Sequence, residues 1–195
     1  MTKADWLSLV APLLQAISIA VTAVFAVRGL SAWRRQLLGK RKFEAAEEIL
    51  LITYKLQRGL HFVRNPLVLD REGAPDAPDH DFAPLNRMNM MRDDLAAFSR
   101  ARLVARVFFG PSAVAPFDAI LSVYNDVALA AGFLLVALRE PLPEDERERK
   151  EEIDRRAEWK LTVWGRGRAD RDALVERVDA AVNQIEGLCR PALSD

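Results

Sequence analysis

The Gly39-Lys40 pair, followed by Arg41 and Lys42, is the closest this chain comes to a phosphate-cradling loop. Such a loop needs a glycine five residues before the Gly-Lys pair and a hydroxyl residue directly after it, so that backbone N–H groups wrap the phosphate and the hydroxyl meets its metal. Those two positions hold Arg34 and Arg41, and the motif fails. His80 stands among Asp76, Asp79 and Asp81, a set of donors able to hold a divalent cation weakly. An acidic, proline-rich stretch of this kind is ordinarily just solvated, so no metal is expected there. His61 follows the apolar face of its helix and reads as a packed or rim histidine.

Tyr124-Asn125-Asp126 is the most notable polar group, because it interrupts an apolar helix. Buried, it would need donors, for which Arg100, Arg102 and Arg106 on the preceding helix are the candidates, since an unpaired charge inside is costly. Structural hydrogen bonding at a bundle layer is the expected role. No serine lies in a nucleophile-elbow sequence and no Cys/His pairing offers a thiol nucleophile. Cys189 stands alone on an apolar helical face and reads as a small buried hydrophobe. With no catalytic constellation and no cofactor motif, the chain is expected not to be an enzyme.

Charge excludes another class. Lysine plus arginine total 28 and aspartate plus glutamate total 28, so the chain as a whole has no excess for a polyanion. The arginines of "WGRGRADR" come without a reading motif or an interleaved aromatic platform, and nucleic acid is not the expected partner. One cysteine permits neither an intrachain disulfide nor a Cys-rich zinc site, which fits a reducing compartment.

The elements that carry these residues begin with "LLQAISIAVTAVFAVRGLSAWRRQLLGKRK". From Trp6 to Val27 about 22 consecutive residues lack a charge, close to the roughly 20 that cross a bilayer as a helix. A cleaved secretory signal has a shorter apolar region behind a basic front, whereas here the positive charge follows. Arg28, Arg34, Arg35, Lys40, Arg41 and Lys42 form a cluster without an acid among them, which places the following region in the cytoplasm with the N-terminus outside and offers contacts to anionic lipid. Trp6 and Trp33 bracket the span at headgroup level. At about 100° per residue, Ser8, Ala11, Gln15, Ser18, Thr22, Ala26 and Gly29 share one small, polar side. Lipid gives a glutamine amide nothing to bond, so this face is expected to meet another helix, first of all a second copy of itself.

Past the basic cluster, Phe43, Ala46, Ile49, Leu50, Leu56, Leu60 and Val63 recur at helical spacing, Gly39 offers a bend, and Asn65-Pro66 is a stop. "LVLDREGAPDAPDHDFAP" reads as an exposed loop. A second helix over 85–109 turns Leu85, Met88, Met91, Leu95, Phe98 and Ala105 inward and ends at Gly110-Pro111. A third, over 116–139, is the most apolar of the remainder. Its uncharged run of about 12 residues is short for a bilayer, so it is expected at the centre of a bundle. A fourth helix opens after Pro143 with an entirely charged first half, laced by Asp145 with Arg149, Glu146 with Lys150, Arg147 with Glu151, and Glu152 with Arg156. Its packing residues are expected to be Ile153, Ala157, Leu161 and Trp164. The last helix starts near Asp170, sets Leu174, Val178, Ala181, Ile185 and Leu188 inward, and closes at Pro191.

The fold expected is all-α: a single N-terminal transmembrane helix (1–30), a basic juxtamembrane segment (31–42), and an antiparallel cytoplasmic bundle of four to five helices (43–195). The order of span, basic segment, helix ending in "RNP" and C-terminal "IEGLCRP" resembles that of bacterial membrane-anchored helical proteins without a known activity. The function expected is that of a scaffold at the bacterial inner membrane, self-associating through its span and presenting the bundle to a cytoplasmic protein partner. The alternative is an oligomeric membrane effector or channel subunit of defence or stress response, whose polar stripe lines a water-filled path.

Overall fold

The computed structural model describes residues 3–66, 83–165 and 172–194, with the side chains of 3–14, 16, 17, 20 and 24 outside that description. Among the described residues all regular structure is helical: α1 (Lys3–Val63), α2 (Ala83–Met90), α3 (Arg92–Phe109), a short 3-10 turn (Pro111–Val114), α4 (Ala115–Arg139), α5 (Glu146–Trp164) and α6 (Ala173–Leu193). The chain divides into two compact units, Met1–Glu44 and Ala45–Asp195, with the boundary inside α1. The expected loop over 67–82, with His80 and its aspartates, lies outside the described residues.

In the first unit α1 is helical throughout, Gly39 included, so the expected bend there is not a break in the helix. In the second unit α1 buries Ala46, Ile49, Ile52, Leu56, Leu60 and Val63 at three- and four-residue intervals. Phe43, expected on this face, is exposed. Thr53 is fully buried on the same stripe, and its hydroxyl donates to the Ile49 carbonyl at 2.7 Å, which removes the penalty of burying it. The helix stops as Asn65-Pro66 dictates, because the residue before a proline is pushed out of the α region.

The second expected helix is two. Met91 sits between α2 and α3 at φ −89°, ψ 3°, and its side chain is buried against Gly59 of α1. A Cβ at Gly59 would collide with the Met91 thioether, so the glycine makes the room and the methionine fills it. Methionine is a good helix former, and its packing here overrides that propensity. α3 then turns over at Gly110, whose φ of 94° favours glycine. Phe98 of α3 and Phe117 of α4, both fully buried, meet with ring centroids 5.1 Å apart.

α4 is the central helix: Phe117, Ile120, Val123, Val127, Ala130, Ala131, Leu134 and Ala137 are buried along it. Together with the 3-10 turn it is also the one helix, among the described residues, long and apolar enough to cross a membrane by length and composition, and it lies mid-chain. α6 supplies Val178, Ala181, Val182, Ile185, Cys189 and Ala192. It does not close at Pro191 but runs to Leu193, where Ala192 and Leu193 pack on the core. Its cap is Asp172 rather than Asp170, which lies outside the described residues.

α5 departs most from expectation. Asp145 caps it, accepting from the Arg147 and Glu148 N–H groups at 3.0 Å each, instead of pairing with Arg149. The face toward the bundle is Glu152, Arg156, Trp159 and Val163, and Val163 alone among its residues is buried. Ile153, 48% exposed, and Leu161, 45% exposed, face out with Ala157. A salt bridge replaces apolar packing on the inner side: Arg156 Nε stands 2.7 Å from Glu152 Oε1, both side chains about 85% buried.

Candidate interaction surfaces

Along the first unit, Gln15, Ser18, Thr22 and Gly29 are exposed; Ser8 and Trp6 carry side chains outside the description. The Thr22 hydroxyl donates to the Ser18 carbonyl at 2.8 Å, so threonine meets its own bonding need within the helix. Apolar side chains stand exposed around the same helix, with Phe25 and Val27 each 69% open and Ile19 and Leu30 exposed as well. Trp33 is exposed as well. Of the basic cluster, Arg28, Arg34, Arg35, Lys40 and Arg41 are exposed and Lys42 is half-buried. Lys40 reaches Glu44 at 3.8 Å, a solvated contact worth well under about 1 kcal/mol.

The polar layer expected around Tyr124-Asn125-Asp126 is absent from the core. Asn125 and Asp126 face solvent. Asp126 pairs with Arg177 of α6 at 3.3 Å, and the same guanidinium donates to the Ser122 hydroxyl. Arg102, proposed as a donor to that cluster, instead forks onto Asp118 at 2.6 and 3.1 Å. The turn at Gly110 sets α3 beside the first turns of α4, which brings Arg102 level with Asp118 rather than with Asp126. His61 is exposed on α1 and lines an open surface groove with Leu51, Tyr54, Lys55 and Arg58.

Two buried arginines, Arg64 and Arg87, hold helix ends together. Arg87 of α2, 1% exposed, donates through Nη1 to the carbonyls of Phe62 at 3.0 Å and Asn65 at 2.6 Å, and its guanidinium lies 4.7 Å from the centroid of the Phe62 ring. The C-terminus of a helix carries unpaired carbonyls and a partial negative charge, so a cation from a neighbouring helix is a fitting cap. The signal available in the sequence was positional, since Ala83, Arg87 and Met91 fall on one inward line of the α2 region.

Arg64, just past α1, donates through Nε to the Thr162 carbonyl at 3.1 Å and meets Asp172 Oδ2 through Nη2 at 2.7 Å. Asp172 in turn accepts the Leu174 and Val175 N–H groups at the start of α6. One guanidinium thus joins the ends of α1, α5 and α6. Burial raises the Asp172 carboxyl, but the Arg64 guanidinium and the two backbone donors outweigh it and hold the group below its ordinary range. Gly165, at φ 71°, closes α5 beside this pair; a Cβ there would stand 2.6 Å from Asp172 Oδ2. A hollow of about 310 Å³ opens next to it, lined by Arg64, Glu158, Leu161, Thr162, Asp172 and Leu174. Of its charged groups, Arg64 and Asp172 are paired with each other and with backbone groups. Among the described residues no group of three or more metal-ligating side chains occurs.

Comparison with protein-family models, with curated proteins and with solved structures finds no match to this chain.

Proposed function

We propose that the chain is a membrane-anchored interaction protein of the bacterial inner membrane, not an enzyme. The N-terminal part of α1 crosses the bilayer with its start outside and associates with a second copy through Ser8, Gln15, Ser18, Thr22 and Gly29. Arg28, Arg34, Arg35, Lys40, Arg41 and Lys42 lie against anionic headgroups, Trp6 and Trp33 sit at the two interfaces, and the bundle faces a cytoplasmic protein partner. One observation carries the reading: a helix with apolar side chains exposed on several sides, Ile19, Phe25, Val27 and Leu30 among them, runs straight into a cation cluster without an acid. A helix that is greasy around its circumference belongs in lipid or in the centre of a larger assembly, and the one-sided basic flank selects lipid.

The test compares the full chain with a variant lacking residues 1–30 in alkaline carbonate extraction of membranes. Retention of the full chain and release of the shortened one supports the reading. Release of both removes the anchor, and retention of both transfers it to α4, the one helix among the described residues that is long and apolar enough to span by length and composition.

A further inference from the structure

The apolar interior of the bundle is not one body. The main cluster joins α1, α2, α3, α4 and α6 through residues such as Ile49, Leu56, Phe98, Phe117, Ile120 and Ile185. A second, separate cluster consists of Ala130, Ala131, Leu134 and Val163, with Leu85, Leu138, Trp159 and Trp164 packed around it. Val163 is the only buried contribution of α5 to either.

We propose that α5 is a strap that lifts off α4 as a unit while the main core stays closed. The ion pairs of α5 belong to α5 itself: Arg147 with Glu151, and Glu152 with both Arg155 and Arg156. They travel with the helix and do not oppose its release. What release must break is the burial of Val163, the packing of Trp159 and Trp164 on the second cluster, the stack of Phe133 on Trp159 at 5.5 Å, the Arg156 donation to the Glu140 carbonyl and the Arg64 donation to the Thr162 carbonyl. The Arg64–Asp172 pair, which joins α1 to α6, survives the motion. Cooperative units with few buried apolar contacts open at lower free energy than the whole domain.

Lifting uncovers Ala130 and Leu134 next to Leu129, Phe133 and Val136, which are already exposed. The C-terminal half of α4 then becomes apolar around most of its circumference. α5 is the removable cover of this apolar surface. The proposal concerns the second unit alone and does not depend on where residues 1–30 reside.

Cys189 supplies an internal reference, since it is 1% exposed in the main core and reacts only when that core opens. Thiol labelling of the full chain carrying Ala130→Cys, read site by site by mass spectrometry, is the test. Position 130 is expected to label about tenfold faster than Cys189 or more, and Val163→Ala to widen that ratio. Equal rates at both sites overturn the strap. Hydrogen exchange of the unsubstituted chain repeats the test without a new thiol: loss of protection over 150–161 ahead of 178–189 supports it, and equal protection of the two stretches overturns it.

Discussion

Arg64 Nη2 and Asp172 Oδ2 lie 2.7 Å apart, and this contact fastens the end of one helix to the start of another while a third is held through the Thr162 carbonyl. Asp172 is acceptor for a guanidinium and for two backbone N–H groups, so its ionised form is the one the fold stabilises. Its carboxyl titrates below the unfolded value, so this contribution is complete above that value near 3.8 and is lost as pH falls through the folded one. Asp172→Asn is expected to cost about 1–2 kcal/mol near neutral pH and Asp172→Ala about 2–4 kcal/mol, since alanine also deletes the cap. Thermal unfolding across pH 2–7 (approximately the range in which carboxylates titrate) checks both: the wild-type advantage over Asp172→Asn should vanish at the acid end.

Two glycines should respond to alanine with opposite signs. Gly165→Ala meets a positive φ and a carboxylate oxygen at 2.6 Å, and is expected to destabilise by about 1–3 kcal/mol. Gly132 lies inside α4 with nothing within 4 Å of an added Cβ, so Gly132→Ala should stabilise by about 0.5–1 kcal/mol. Paired denaturation curves decide; a shift in the same direction for both variants would contradict the geometry.

Arg87 carries a buried charge answered by carbonyls. Arg87→Met keeps volume and removes the guanidinium's donations to the Phe62 and Asn65 carbonyls, and should cost about 3 kcal/mol. Lysine has no planar fork to serve two carbonyls at once, so Arg87→Lys should recover less than half of that loss. Midpoints of chemical unfolding for the three proteins test the order.

Burial pushes the Cys189 thiol up to about 11. Because the folded value is raised, the fold favours the protonated thiol, and that contribution is complete below the unfolded value near 9 and lost as pH rises through 11. Alkaline unfolding of wild type should therefore set in earlier than that of Cys189→Ala, once each is compared with its own stability at pH 7 (roughly two units below the free thiol). Parallel pH profiles would show that the thiol does not ionise with unfolding.

Self-association of the span should depend on its amide. In a dimerisation reporter carrying residues 6–30, Gln15→Leu is expected to weaken association by about 0.6–2 kcal/mol. An unchanged signal would leave the polar stripe without a role between copies.

The apolar stripes of α1 and α6 were legible in the sequence because their inward residues are aliphatic and keep helical spacing, and Asn65-Pro66 and Gly110-Pro111 mark real stops. α5 was misread for a physical reason. Ile153, Ala157 and Leu161 form the more apolar line, but Glu152 and Arg156 neutralise each other and so occupy the inner face at little penalty, leaving the aliphatic line outside. Arg64 and Arg87 escaped for a related reason: a charged side chain counts as surface until its carbonyl partners are known, and these come from helix ends distant in sequence. The break at Met91 has no glycine or proline to announce it; its cause is the vacancy over Gly59 on another helix.

The first and last helices of the bundle share a seam, where the Tyr54 hydroxyl donates to Glu186 and the Gln57 amide to Asp179, each at 2.8 Å. A ribosome delivers the chain from one end, so the inward stripe of α1 emerges long before α6 exists to cover it. Until Ala173–Leu193 has left the exit tunnel, Ile49 and Leu56 remain sticky. A nascent chain stalled before that point should be a client for holding chaperones, and release should come only with the final helix.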